Sequence, residues 1–278
     1  MANRQVAVVT GSGRGFGLVL AHSLLKAGYC VVVSARSQAS VDRALAELAA
    51  YGERLRAVRC DVTSAAEVEA LSAEALRVFG RLDLWVNNAA YAAPAATLAD
   101  LPLAEASSVV ATNILGTLFG VKAALDHMVP ARRGTIVNLY GRGDDMRATP
   151  ITGAYAASKA WARSFTRTLQ SELRGSGVRV LGFNPGLMLT DMTLRPTVIG
   201  SQAVRAMRVF PTVVRLLADQ PHVAAERLVR RLGNPSHHPG ELRMQGLLSM
   251  LRKSPRLIAH RTPATPAATG ALPTRMNE

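Results

Sequence analysis

Six short apolar runs, at 6–10, 30–34, 55–59, 82–87, 134–139 and 178–184, punctuate the first 185 residues, and a longer stretch separates each from the next. Turn-forming or charged residues bound each run, as they bound a strand buried on both faces. The intervening stretches near 15–27, 40–51, 64–79, 102–130 and 153–175 read as helices. In the second, Val41, Leu45 and Leu48 recur at helical spacing. Ser64, with Glu67 three residues on, reads as an N-cap in a capping box. Strands alternating with helices at this interval fold as parallel βαβ units with right-handed crossovers. The expectation is an α/β fold, one doubly wound parallel sheet with helices on both faces.

The 278 residues suffice for a single such domain with a large core, expected over 1–260. Beyond Pro196 the alternation fades. Residues 187–220 suit a helical lid over a site, 222–232 another helix and 241–244 a short last strand. The stretch 261–278 is poor in large apolar side chains and is expected to be a disordered tail. No apolar run reaches the ~18 residues of a membrane span, and residues 1–5 lead at once into the first strand. A cytoplasmic protein without membrane contact is expected. Cys30 should open the second strand and Cys60 should follow the third, at opposite ends of a parallel sheet, so both read as reduced, buried thiols.

The formal net charge is +14, and 195–278 holds thirteen basic residues against four acidic ones. Such a surface suits an anionic substrate or an acidic carrier protein. No helix-turn-helix, zinc-finger or aromatic-basic signature accompanies it, so nucleic acid is not expected, and neither is a metal.

The first strand runs into Thr10-Gly11-Ser12-Gly13-Arg14-Gly15-Phe16-Gly17. This T-G-x-x-x-G-x-G turn differs in register from G-x-G-x-x-G but works by related physics. Glycines adopt unusual dihedrals and let the backbone approach a pyrophosphate at a helix N-terminus. A site selecting NAD usually has an acid at the end of the second strand. Here that strand ends Ser34-Ala35-Arg36. Arg36 and Arg14 can both reach the ribose 2′ position, and a guanidinium matches a phosphate well. The expected cofactor is therefore NADP(H).

Farther on, Tyr155-Ala156-Ala157-Ser158-Lys159 puts a phenol and an ammonium one helical turn apart on one face. A free tyrosine, with its pKa of about 10, is a poor base near neutrality. A nearby cation favours the phenolate and moves it toward acid–base work.

Taken in order, these motifs resemble the short-chain dehydrogenase/reductase family over residues 4–190. The resemblance rests on the glycine turn, Asp61-Val62 after the third strand, Asn87-Asn88-Ala89-Ala90, Asn113 in Thr112-Asn113-Ile114-Leu115-Gly116, Tyr155-x-x-x-Lys159, and Asn184-Pro185-Gly186 followed by Thr190. It implies a Rossmann-type domain. It also implies that Asp61 and Val62 meet the adenine, that Asn88, Ala89 and Ala90 line the cofactor, and that Lys159 holds the nicotinamide ribose. The segment containing Pro185, Gly186, Met188 and Thr190 would meet the carboxamide. Tyr155 would be the general acid in reduction, with Asn113 holding a water in a relay to Lys159.

Two departures stand out. Family members usually carry Asn-x-Ser-Ser after the fifth strand, the second serine polarising the substrate carbonyl. Here Asn138-Leu139-Tyr140-Gly141-Arg142-Gly143-Asp144-Asp145 stands instead, and no serine occurs between Asn138 and Tyr155. Tyr140 and Gly141 align with the pair, whereas counting back from Tyr155 reaches Arg142. Three explanations stand open: Tyr140, Arg142, Thr149 or Thr152 supplies the donor, the substrate needs none, or the fold serves cyclisation, dehydration or isomerisation. Asp144 and Asp145 read either as pocket groups or as a solvated loop. The second departure is Leu242-Arg243-Met244-Gln245-Gly246 where relatives often end Val-Asp-Gly-Gly, which puts one usual subunit contact in doubt. Helices 102–130 and 153–175 could still support a homodimer or homotetramer. The leading expectation is an NADP(H)-dependent ketoreductase for a medium-sized apolar or aromatic molecule. Its pocket would be lined by Tyr91 and the residues to 94, by 140–152 including Tyr140 and Arg142, and by the lid.

Overall fold

The structure, a computed structural model, describes residues 4–234 and 240–244; the expected tail at 261–278 lies outside them. Seven parallel strands form one sheet in the order β3-β2-β1-β4-β5-β6-β7. They are β1 (Val6–Val9), β2 (Cys30–Ala35), β3 (Leu55–Arg59), β4 (Leu84–Asn87), β5 (Gly134–Leu139), β6 (Val178–Asn184) and β7 (Glu241–Arg243). The order reverses direction between β1 and β4, which opens a crevice beyond the carboxyl ends of those strands.

Alternation along each strand feeds two cores. Ala7 and Val9 of β1, with Val31 and Val33 of β2, pack against α1 (Gly15–Lys26) and α10 (Pro221–Gly233) on one face. Val6 and Val8, with Trp85 and Ile136, pack on the other face with α3 (Ala65–Phe79), α5 (Gly116–Met128) and α6 (Gly153–Glu172). Both expected layers are present in a single domain. Cys30 and Cys60 are free and buried in the second core, and burial pushes the Cys60 thiol up to about 12.

Local signals explain several boundaries. Ser37 caps α2 (Gln38–Glu47) by accepting from the Ser40 N–H. Ser64 caps α3 by accepting from the Glu67 N–H at 3.3 Å. The return half of that box does not form, because the Glu67 carboxylate accepts from the Asp61 N–H (3.0 Å) and pairs with Arg59 (3.4 Å). The helix expected over 102–130 is three pieces: α4 (Leu103–Val109), a π-helical turn (Val110–Leu115) and α5. Leu103–Met128 is long and apolar enough to cross a membrane by length and composition, with a mean hydropathy of 1.5, but in this fold it packs beside the sheet.

Residues 187–220, expected as a lid, carry α7 (Asp191–Leu194), α8 (Ser201–Met207) and α9 (Phe210–Leu217). Backbone bonds zip its base, Leu189 N to Asp219 O (3.0 Å) and Asp219 N to Leu187 O (2.9 Å). Others fasten it across the crevice to the segment after β4, Ala95 N to Thr197 O (2.8 Å) and Ile199 N to Ala95 O (2.9 Å).

Candidate active site

The glycine turn lies between the end of β1 and the start of α1, at the crevice. Gly11 and Gly15 have φ of +62° and +59°, where an L side chain is strained. A Cβ on Gly11 would lie 2.7 Å from Ala89 Cα, and one on Gly17 would lie 2.4 Å from Asn88 Nδ2. The backbone beside Gly15 faces open space, with nothing within 4 Å of a Cβ built there. Thr10 and Asn88 fix the turn. Thr10 Oγ1 accepts from the N–H groups of Asn88 (3.0 Å) and Ala89 (3.1 Å), and Asn88 Nδ2 donates to the carbonyls of Thr10 (2.8 Å) and Gly11 (3.1 Å). Helix α1 has no side-chain cap and no acidic residue in its first turn, so its N-terminal dipole is uncompensated.

The side chains of Ser12 and Phe16, two turn residues expected to bind the cofactor, are engaged within the fold. Ser12 is buried, and its Oγ donates to Val9 O (2.6 Å) and accepts from Ser34 N (2.9 Å), bracing β1 to β2. The Phe16 ring is in the core, 6.1 Å from that of Phe183. Only the backbone of these two residues faces the turn.

At the end of β2, Arg36 is exposed. The equally exposed Arg14 has only a loose ion pair, 3.9 Å, with Asp191, and such pairs contribute little. Asp61 Oδ1 accepts from Thr63 N (3.0 Å) and Thr63 Oγ1 (2.8 Å), while Val62 packs where Gly116 leaves room at the start of α5. Ala90 follows at the crevice edge, half-buried. Beyond β6, Pro185 leads into Gly186 (φ +74°), whose N–H donates to Asn184 Oδ1 (2.9 Å). Met188 pairs with Asp219 across the base of the lid, and Thr190 opens α7. An open backbone cradle, a bare helix N-terminus and two under-committed guanidinia fit a phosphorylated dinucleotide.

Tyr155 and Lys159 project from α6 toward the same crevice. Lys159 Nζ is 5.5 Å from the Tyr155 ring centroid and donates to Leu139 O (3.2 Å). Burial pushes the Tyr155 phenol up to about 12 and Lys159 down to about 8, while the Asp144 carboxylate acts upward on both. Asn113, in the π turn, has its amide fully committed. Its Oδ1 accepts from Tyr91 N (2.7 Å), and its Nδ2 donates to Tyr91 O (3.0 Å) and Ser158 Oγ (3.0 Å). Its carbonyl accepts from Thr117 Oγ1 (2.8 Å). The Asn113 side chain thus positions Tyr91 and α6, and a relay water would have to be held by the backbone.

The position of the absent serine resolves to Gly141. A Cβ on Gly141 would lie 2.9 Å from the Tyr155 hydroxyl and 3.4 Å from Lys159 Cγ. Tyr140, the other aligned residue, points away. Its side chain is 2% exposed, and its hydroxyl fills the space that a Gly182 side chain would need, 2.0 Å from a Cβ there. Burial raises that hydroxyl to about 12, and the Thr166 hydroxyl, near enough to act the other way, makes no hydrogen bond of ordinary geometry with it. The expected substrate or donor role of Tyr140 is therefore corrected: it is a core residue. Arg142, one past Gly141, is exposed. The Tyr91 hydroxyl is committed to Glu105, which together with burial raises it to about 12.

Sequence reasoning undervalued Asp144. It is 4% exposed and accepts from Asn184 Nδ2 (2.9 Å) and Arg243 Nη1 (3.1 Å). Asp145 is exposed and paired only with Arg147 (3.4 Å). Adjacent acids therefore have opposite fates, which no local spacing distinguishes. The 140–152 loop also holds two of the three non-glycine residues with positive φ among the described residues, Met146 (62°) and Ile151 (64°). Such strain persists only where the surroundings over-determine it. Here Ile151 O accepts from Ala96 N (2.8 Å), tying the loop to the segment under the lid.

Residues 5–197 match the short chain dehydrogenase family model. A chlorophyll(ide) b reductase of Arabidopsis thaliana, NOL, is 34% identical over 80% of this chain, which spans 63% of that protein's length. A 3-oxoacyl-[acyl-carrier-protein] reductase of Synechocystis is 36% identical over 68% of this chain and 76% of its own. Among solved structures, an actinorhodin polyketide ketoreductase with NADPH superposes with a TM-score of 0.78 at 28% identity, covering 90% of this chain and 98% of that one.

Proposed function

The chain belongs to the short-chain dehydrogenase family of oxidoreductases, and we propose that it is an NADP(H)-dependent reductase of a carbonyl, or a similarly polarised double bond, on a medium-sized apolar or aromatic molecule. The observation that carries this reading is the convergence of the Tyr155 hydroxyl, the Lys159 chain and Gly141 at one point of the crevice. NADP(H) is favoured over NAD(H) because β2 is followed by Arg36 rather than an acid and Arg14 is also exposed. The named relatives are reductases, of chlorophyll(ide) b, of a 3-oxoacyl group on a carrier protein and of a polyketide.

The chemistry divides simply. A bound nicotinamide supplies hydride. Tyr155, protonated at neutral pH because burial holds its pKa near 12, gives its proton to the nascent alkoxide. Lys159 is cationic below about pH 8 and stabilises the resulting phenolate. Gly141 supplies no second donor, so the substrate is one whose carbonyl is already activated by conjugation or ring substituents. Losing one oriented donor costs an ordinary ketone about 10²–10³ in rate.

The test is NADPH oxidation across a panel running from simple ketones to aromatic aldehydes and conjugated ketones. Silence toward every activated carbonyl would remove the proposal. A second reading is favoured by Gly141 alone: a non-redox cyclase, dehydratase or isomerase that retains NADP. Deuteride from labelled NADPH appearing in the product decides for the first, and product formed without it for the second. An acidic carrier protein delivering the substrate would show as binding that weakens steeply with salt.

A further inference from the structure

We infer that Asp144 is a positioning residue for the Tyr155–Lys159 pair, held there by Arg243 of the last strand. This inference rests on the reading of that pair as the proton-transfer centre. Three elements that the sequence leaves unrelated meet at one carboxylate. The loop after β5 brings Asp144, three residues beyond Gly141. The end of β6 brings Asn184, whose Nδ2 donates to Asp144 Oδ2 at 2.9 Å and whose Oδ1 accepts from Gly186 N at 2.9 Å. Strand β7 brings Arg243, with Nη1 3.1 Å from Oδ1 and Nη2 3.1 Å from Oδ2.

A second pair extends the clasp onto the catalytic helix. Arg163, one turn beyond Lys159, makes a two-pronged contact with Glu241 (2.8 and 3.0 Å) and donates to the Asp144 carbonyl (3.4 Å). Arg243 also lies 3.8 Å from Glu241. The charged and titratable groups acting with Asp144 are thus Tyr140 just beyond β5, Tyr155, Lys159 and Arg163 on α6, and Glu241 and Arg243 on β7.

This geometry does two things. It fixes the backbone around Gly141 and the start of the 185–190 segment relative to α6, so the two walls of the crevice cannot drift independently. It also keeps a buried negative charge near Lys159, which favours the ammonium over the neutral amine against the opposing effect of burial. A carboxylate so buried is retained only when paired, and Arg243 supplies the pair.

The experiment uses the full chain. Its four lysines, 26, 122, 159 and 253, can be 13C-methylated and titrated by NMR, with the Lys159 signal identified by its loss in Lys159→Arg. In Asp144→Asn the Lys159 midpoint is expected to fall by at least about 0.5 pH units, and kcat to fall at least about tenfold with KM for NADPH little changed. Asp145→Asn, next door but exposed, should move neither. If Asp144→Asn fails to fold, the double variant Asp144→Asn/Arg243→Gln removes the unpaired guanidinium. That protein should fold and still show the lowered midpoint. An unshifted Lys159 in either folded variant overturns the inference. The NMR readout needs no cofactor, so failure of the chain to bind NADPH would instead sink the proposed function and leave this test standing.

Discussion

A side chain placed on Gly141 would come within 2.9 Å of the Tyr155 hydroxyl. The phenol occupies the room that a side chain at residue 141 would claim, so on the proposed reading Tyr155 acts there without a second hydroxyl donor.

Restoring the second donor should therefore change specificity. Gly141→Ser is expected to raise kcat/KM for unactivated ketones, toward the ~10²-fold that one oriented donor contributes, and to raise KM for bulky conjugated substrates by narrowing the crevice. Steady-state kinetics on both substrate classes checks it. Equal changes on both would show that residue 141 does not discriminate.

Tyr155→Phe should lower kcat by about 10²–10⁴, the range for a lost general acid. NADPH affinity should stay within about threefold, because the phenyl ring keeps the packing. Fluorescence titration of NADPH alongside turnover separates the two effects.

Tyr140→Phe makes the opposite case. The phenol it removes is buried and unpartnered, so activity should be unchanged and stability should hold or rise by about 1 kcal/mol. Thermal or urea unfolding with a parallel rate assay decides it. A large loss of rate would return Tyr140 to the catalytic machinery.

The pH profile follows from Lys159. Its pKa is lowered to about 8, so the ammonium is present below that value and is lost as pH rises through it. kcat/KM for reduction should be flat near neutrality and fall by about tenfold per unit on the alkaline side. Tyr155, near 12, stays protonated throughout. In Lys159→Arg the remaining rate should show no fall across this window, since a guanidinium does not titrate there.

Arg36→Asp should weaken NADPH binding by about 10- to 100-fold, the value of a charge-assisted bond, while leaving NADH unchanged or improved. Arg14→Ala should give a smaller effect in the same direction. Calorimetry with both nucleotides measures the pair, and equal losses for NADPH and NADH would contradict the assigned phosphate contact.

Much of this architecture was legible from the chain. Strands β5 and β6 begin and end where the apolar runs do, because a parallel strand covered on both faces is mostly apolar, and the edge strand β3 keeps its expected bounds although Arg56 and Arg59 face solvent. The glycine turn was readable because glycine adopts the positive φ of positions 11 and 15 without strain. The Tyr155–Lys159 pair was readable from helical spacing. What escaped depended on distant partners. Nothing near Ser12 or Phe16 says that one braces β2 and the other packs on Phe183. Nothing near Tyr140 says that Gly182 makes a slot for its ring. Asp144 and Asp145 look alike until Arg243, some hundred positions away, is folded against one of them.

The fastening of residues 197–199 to Ala95 has a consequence for traffic through the crevice. An arch with both feet tied does not swing like a door. Lifting it forfeits two backbone hydrogen bonds, about 1 kcal/mol each, whereas sliding beneath it forfeits none. Molecules thin in one dimension should therefore gain passage on easier terms than round ones of equal volume, a sorting by thickness ahead of any sorting by chemistry.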